Sequence, residues 1–436
     1  MMNYMSADLL RSSDLVDGCD YRISLPVEEG MEEVHFRFDS SASIAPEQGI
    51  VLRNRQSLEV LRSLGDYPGV TQLLSADVRA FSYDELKKRL GKDIYIFGAH
   101  QVGVLLARLF IERGGSIHAF LDNDVNKHGR MFDGIPVRAF DVSTLAAGSL
   151  IVLGSGRYSG AIQRELEAKG WDNIMTMQQF LAVLDVPYIA ESSFRNYRSR
   201  LVEEAPAFIS AFLCLGDERS REVFDGLVSM RLSLGNAHPL IRSDFMNEYL
   251  EPDFIAPEHL KHYVDAGAYD GDTLTRVETR FGPVESGYLF EPEQLAFLKC
   301  QRKFGSRAEV KVLCAAMTES RCELPAPRTN SCDVLGVLAA KARPAPLSYV
   351  PGHPLDEVAL GAVTLIKLDI EGAEAGALRG ARRVIERERP KLCVCAYHRS
   401  DDLWRLIDVV LSIRGDYRVG VRHYSDIIDD TTLYFY

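Results

Sequence analysis

The stretch Val264–Thr273, VDAGAYDGDT, decides the fold. KHYVDAG brings an apolar strand up to Asp265, and Gly267 and Gly271 then open a tight turn before a helix, TLTRVETRF. A glycine turn between a strand and a helix belongs at the carboxyl ends of parallel strands, where open α/β sheets bind their ligands. Small residues there let the backbone approach a cofactor closely. Three carboxylates flank the turn, Asp265, Asp270 and Asp272. They would repel a pyrophosphate, but they suit a ligand with hydroxyls and a positive centre. S-adenosylmethionine has both.

Moving outward, SGYLFEPE reads as the next strand and places Glu291 at its end, twenty residues after Gly271. A carboxylate there can accept both hydroxyls of a ribose. Two further strand–helix pairs follow, QLAFLKCQRKF into EVKVLCAA and, after an irregular Pro-rich stretch over 322–360, VTLIKLDI into a helix over 373–389. In that helix Ala377, Leu378, Ala381, Val384 and Ile385 form one apolar stripe. IKLDIEGAE (366–374) ends a buried strand at Asp369, with Glu371 and Glu374 entering the helix behind it. These acids converge on the sheet edge that carries Asp265, although acids in a first helical turn also serve the helix dipole alone. KLCVCAY, DDLWRLIDVVLSI, DYRVGVRHY and TTLYFY complete the chain, the last two strands joined by a polar turn that predicts an antiparallel pair. Cys393 and Cys395, two apart on a strand, share one face.

VDAGAYDGDT, LFEPE, KLDIEGAE and RPKLCVCAYHRSDDLW resemble the FkbM family of class I S-adenosylmethionine-dependent methyltransferases, over about residues 190–436. The resemblance implies a cofactor held by Asp265, Gly267, Gly271 and Glu291, with Asp369 beside the transferring methyl. It also implies O-methylation of a sugar or secondary metabolite. Tyr269 departs from the family pattern, as does the stretch 322–354, where substrate loops are expected.

Methyl transfer to an alcohol needs alignment of the partners, exclusion of water and removal of a proton. His398, just past KLCVCAY, is placed as that base or as a substrate ligand, with capping of the turn before Asp401 as its structural alternative. His423 is a second candidate. Asp369 and Glu371 are the other catalytic candidates, and they could instead hold a divalent ion that acidifies the hydroxyl. No third metal ligand stands out in the sequence, so no metal site is assigned.

Upstream, residues 190–255 are helix-periodic, with Val223, Leu227 and Met230 in step and Asp217 placed to cap the helix near Glu218. This segment predicts a helical connector or lid before a methyltransferase-type unit over 256–436. A second strand–helix alternation occupies 91–185: DIYIFG, QVGVLLARLFIERGG, SIHAFLDND, GSLIVLGSG and AIQRELEAKG. The expected fold class is therefore α/β, with two Rossmann-like doubly wound sheets, the second ending in a hairpin. IFGAHQVG almost spells a dinucleotide fingerprint, but His100 stands where a glycine would admit the pyrophosphate. Asp122 lies twenty-four residues after Gly98, in reach of a ribose hydroxyl. This unit also resembles the N-terminal domains of sugar-modifying enzymes that bind nucleotide-linked sugars. An NAD site, a sugar-nucleotide site and a structural or dimerising module all fit it, and an NAD-dependent oxidoreductase is the rival function for the chain. Residues 1–90 form an extension of unassigned role, with short mixed runs over 20–60 and leucines that suit helices over 58–74.

The whole chain has 436 residues, with 50 Lys+Arg against 62 Asp+Glu, a formal charge of −12. An apolar fraction of 46% with 26% charged residues is ordinary for a folded soluble protein. The acidic balance argues against general affinity for nucleic acid, which needs Lys and Arg on the phosphates. No apolar run is long enough to cross a membrane, and the opening residues lack the basic and apolar regions of a signal peptide. Eight scattered cysteines without a C-x-x-C pair fit a reducing compartment. The expectation is a cytoplasmic enzyme acting on a small hydroxylated molecule, as a monomer or a homodimer.

Overall fold

The computed structural model describes residues 3–4, 10–27, 30–75, 78, 81–91, 93–155, 158–189, 192–235, 240–326 and 348–436. Cys332 and residues 327–347 of the irregular 322–354 stretch lie outside them, as does Gly156 in the turn after GSLIVLG.

The glycine turn follows an inner strand, third in order across a seven-stranded sheet. Its strands are β1 (His262–Ala266), β2 (Ser286–Phe290), β3 (Val310–Leu313), β4 (Leu365–Leu368), β5 (Lys391–Cys395), β6 (Val419–His423) and β7 (Thr431–Phe435). They lie in the order β3-β2-β1-β4-β5-β7-β6. The first five pair in parallel. β7 runs antiparallel between β5 and β6, which is the expected hairpin. Because the chain leaves β3 at one edge and returns at β4 beside β1, the strand order reverses between β1 and β4, the switch point outside which open α/β sheets carry their ligand crevice. Ala266 pairs with Leu368, so the turn after β1 and the loop after β4 begin at the same level.

The helices between the strands include α1 (Asp272–Phe281), α2 (Gln294–Phe304), α3 (Glu374–Gly380), α4 (Arg382–Glu388) and α5 (Asp402–Ile413), with a single turn at Leu355–Val358 before β4. The single helix expected over 373–389 is two, broken at Ala381. Asp356 explains the break: its carboxylate accepts the N–H groups of Arg383 and Val384, each at 2.9 Å, and so makes a fresh helix start. The apolar stripe survives, with all five of its residues buried. Cys393 and Cys395 do share a face, in one core cluster, while Leu392 and Val394 pack into another.

Residues 94–175 carry a six-stranded sheet in the order 174–175, 150–153, 94–97, 119–121, 135–138, 131–132. Every pairing is parallel except the last. Residues 1–90 contribute more structure than their sequence suggested. Cys19–Val27 and Gly30–Phe38 form a hairpin in a four-stranded sheet, with Tyr21, Ile23, Leu25, Val34, Phe36 and Phe38 buried on one side. The segment expected to be a connector forms helices Phe194–Glu203, Ala205–Leu213 and Glu218–Ser233, and Asp217 caps the last as foreseen. Phe208, Phe212 and Phe224 are fully buried, in a core cluster shared with the N-terminal sheet, the first Rossmann-like sheet and the second. Ser210 accepts the Val51 N–H at 2.8 Å, and Asp408 on α5 accepts the Ile44 N–H at 2.9 Å. These helices pack into that shared core.

Candidate active site

The crevice between β1 and β4 is held together by one buried cation. Lys367 interrupts the apolar run of β4, and its Nζ lies 2.9 Å from Asp265 and donates to the Gly267 carbonyl at 2.6 Å. Both charged residues are out of solvent, Asp265 completely. Burial raises the pKa of Asp265, and Lys367 works against that rise. Tyr263 also donates to Asp265, at 3.1 Å. Asp265, expected to hold the cofactor, is thus already engaged by Lys367 and Tyr263. Lys367 carries no motif of its own; its sequence signal is a lone charge in a strand buried on both faces.

Gly267 adopts φ +78°, and a Cβ there would fall 1.8 Å from the Asp369 carbonyl oxygen. The two loops touch, and only hydrogen fits between them. Gly271 has φ +80°, and its missing Cβ would meet the Phe304 ring at 2.4 Å. Asp272 opens α1, exposed, and Asp270 is half-buried at 3.2 Å from Lys303. Glu291 is buried at the end of β2, and the Tyr269 and Glu293 N–H groups donate to its two oxygens, each at 2.7 Å. Burial raises its pKa, while the two N–H groups favour the ionised form. Each oxygen keeps a lone pair for a further donor. A cleft of about 670 Å³ opens beside the turn, lined in part by Asp270, Asp272, Arg276, Arg280 and Lys303.

The loop after β4 meets the loop after β5 in a cluster of charge. His398 is 1% exposed; its Nδ1 lies 2.9 Å from Glu374, and its Nε2 lies 3.5 Å from Asp369 and 3.6 Å from Glu371. Glu374 is itself buried and accepts the Ile370 N–H at 3.0 Å. Tyr249, which the sequence did not flag, donates its hydroxyl to Asp369 at 3.0 Å. Burial alone would push the imidazole pKa down, but Glu374, Asp369 and Glu371 outweigh it and lift it to about 10. For Asp369 burial pushes upward, and Lys367, His398 and the Tyr249 hydroxyl together hold the carboxyl below its ordinary value. His398 is therefore an imidazolium at neutral pH, and the role of base expected for it does not fit this arrangement. His423 fits no better: burial drives its pKa to about 3, and its Nδ1 is bonded to Thr431 at 2.9 Å. Asp369 and Glu371 both face a cation already, the imidazolium, and among the described residues no group of His, Cys, Asp and Glu is arranged to hold a metal ion.

The imidazolium has a measurable consequence. Its folded pKa exceeds the unfolded value of 6.5, so its contribution to stability is complete below pH 6.5 and is lost as pH rises through about 10. His398→Asn should lower the melting midpoint near neutrality, and the gap from wild type should close as the pH is raised through that window. A gap that stays constant across it would place the charge elsewhere.

In the first Rossmann-like sheet, Gly98 and Gly103 pack closely, since a Cβ on Gly103 would fall 1.9 Å from the Gly98 carbonyl oxygen. Asp122 is nearly saturated: it accepts from the Ala99 N–H at 2.8 Å, the Asp124 N–H at 2.9 Å and Lys127 Nζ at 2.8 Å. A carboxylate spent on its own loop is poorly disposed toward a ribose.

Residues 265–419 match the family model described as "Methyltransferase FkbM domain". Among solved structures, the chain is similar to the methyltransferase FkbM of Methylobacillus flagellatus KT, at 23% identity and a TM-score of 0.68. That match covers 86% of this chain and 100% of the other, so the shared fold reaches beyond the C-terminal sheet. An rRNA methylase from Streptococcus thermophilus aligns at 13% identity over 41% of this chain and 89% of its own, with a TM-score of 0.27, too distant to carry an argument. No curated protein matches the sequence. Among the described residues, no helix is long and apolar enough to cross a membrane.

Proposed function

We propose, from the premise that residues 265–419 are an FkbM methyltransferase domain, that the chain moves the methyl group of S-adenosylmethionine onto a hydroxyl of a small hydroxylated acceptor, a sugar or secondary metabolite. The observation that carries this reading is the pairing of Glu291 with the glycine turn. A buried carboxylate with one free lone pair on each oxygen stands at the end of β2, next to a turn stripped of side chains at Gly267 and Gly271. A carboxylate so placed suits a ribose diol.

S-adenosylmethionine supplies an electrophilic methyl group on a positively charged sulfur. Glu291 would hold the ribose, and Gly267 and Gly271 would let the turn pack closely on the Asp369 loop and the Phe304 ring and so keep Glu291 and Asp369 in place. Asp369, kept ionised by Lys367 and His398, would sit near the positive sulfur and help orient the reacting groups. No step is assigned to a metal. The rival nicotinamide reading loses support because Asp122 is occupied by its own loop and Lys127. Seven described cysteines are free, which supports action in a reducing compartment.

Glu291→Ala tests the cofactor assignment. Two hydrogen bonds to a carboxylate are lost, so S-adenosylhomocysteine affinity, read by calorimetry, should fall by about 10- to 100-fold. Unchanged affinity would remove Glu291 from the site.

A further inference from the structure

With His398 held as a cation and Asp369 held ionised by its neighbours, the site still lacks a group suited to taking a proton near neutral pH. The segment before β1 supplies one. Phe245–Asn247 forms a short 3-10 turn that α1 clamps from outside: Arg280 donates to Asn247 Oδ1 at 2.7 Å, and Arg276 Nη2 donates to the Glu248 carbonyl at 3.2 Å. The next residue, Tyr249, is in the left-handed region at φ +64°. Its N–H donates to the Tyr434 hydroxyl at 3.1 Å, and its own hydroxyl reaches Asp369. The backbone at 248–249 is thereby fixed by Tyr434 on β7 and by Asp369 at the carboxyl end of β4.

Glu248 is 5% exposed, and no described group donates a hydrogen bond to its carboxyl. The charged groups facing it are Asp430 from the β6–β7 turn, Asp369 behind β4, Lys367 on β4 and Arg276 on α1. Tyr249, Tyr424, Tyr434 and Cys395 also lie close enough to feel its charge. An unpaired buried carboxyl beside Asp369 has no structural task that accounts for its burial.

We propose that Glu248 is the base that accepts the proton of the acceptor hydroxyl. The inference rests on the methyltransferase reading above. As the acceptor oxygen bonds to the methyl carbon, the carbon–sulfur electron pair returns to sulfur, and the hydroxyl proton passes to the Glu248 carboxylate. Burial, with Asp430 and Asp369 adding to it against Arg276 and Lys367, raises the pKa of Glu248 to about 8, so the group is poised to exchange a proton near neutrality.

Sinefungin tests this without knowledge of the acceptor, because it carries an amine-bearing carbon in place of the methylated sulfonium. A carboxylate at the transfer point should favour that ammonium once ionised. On the full chain, the affinity of sinefungin relative to S-adenosylhomocysteine should rise at least about fivefold between about pH 6.5 and 8.5, and by less than about twofold in Glu248→Gln. Glu248→Asp, which keeps the charge, should retain most of the rise. A wild-type rise that persists in Glu248→Gln, or no wild-type rise at all, overturns the base assignment alone. Loss of S-adenosylhomocysteine binding in Glu248→Gln alone makes the residue structural and overturns it too. Failure of the wild type to bind S-adenosylhomocysteine overturns the function on which it rests.

Discussion

Lys367→Met should unfold the C-terminal sheet at a much lower temperature and abolish cofactor binding with it. The substitution keeps the volume of the side chain but strips the cation from Asp265, which has no exposed surface at all. Breaking a buried ion pair by removing one partner costs about 3–5 kcal/mol, because the remaining charge is neither solvated nor compensated. With roughly 2–4 °C per kcal/mol for a unit of this size, the melting midpoint should drop by roughly 6–20 °C. The sign of the pH dependence follows from Asp265. Burial raises its folded pKa, so once Lys367 is gone the variant gains stability relative to wild type as falling pH protonates the acid. Adding Asp265→Asn to Lys367→Met should recover most of the lost stability, since a neutral pair avoids the uncompensated charge. Cofactor affinity should not recover, because Lys367 also holds the Gly267 carbonyl at 2.6 Å. A single variant that melts with wild type would show that Asp265 is neutral in the fold and that the pair carries nothing.

Gly267→Ala should have the largest effect on ligand binding of any single methyl group added to the chain. The new Cβ would meet the Asp369 carbonyl oxygen at 1.8 Å, a backbone atom that cannot rotate away. The turn and the loop after β4 would have to part, displacing Lys367 from the Gly267 carbonyl and Asp369 from its place. A φ of +78° adds strain of about 1–2 kcal/mol for any residue with a Cβ. Affinity for S-adenosylhomocysteine should fall by about 100-fold or more, since two steric costs and the loss of a charge-assisted hydrogen bond add up to at least about 3 kcal/mol. Gly282→Ala is the control: φ is +89° there too, but nothing lies within 4 Å of the added atom. It should cost stability alone, about 1–3 kcal/mol, with affinity unchanged. Equal effects from both variants would mean that backbone strain, not the contact between loops, is what matters at Gly267.

How much of this was legible before the fold was known differs from element to element. The central sheet was, because its signals are local: VTLIKLDI is a mostly apolar run, interrupted at Lys367, that reads as a strand buried on both faces, and VDAGAYDGDT marks where its neighbour must turn. The break at Ala381 was not, since the cause is Asp356, which lies outside the helix in sequence and supplies its carboxylate from another element. The hairpin over 19–38 did alternate in period two, with Tyr21, Ile23 and Leu25 facing inward, but no Asn-Gly or Asp-Gly joins its strands to mark it as a pair. Among site residues, carboxylates at strand ends could be placed by topology alone. Their charge states could not. His398 looked like a base because an isolated imidazole is one, and only the fold brings Glu374, Asp369 and Glu371 around it. Tyr249 and Glu248 carry no motif; they reach the site because the segment before β1 folds back under the grip of Arg276 and Arg280.

The central claim, that the crevice between β1 and β4 seats S-adenosylmethionine for methyl transfer, is tested most directly by a crystal structure of the full chain with S-adenosylhomocysteine. The ribose hydroxyls of the ligand should lie within hydrogen-bonding distance of Glu291, and its sulfur should face Asp369. A ligand seated instead at Gly98 and Asp122 in the first Rossmann-like sheet, or a crevice left empty at saturating concentration, would contradict that claim.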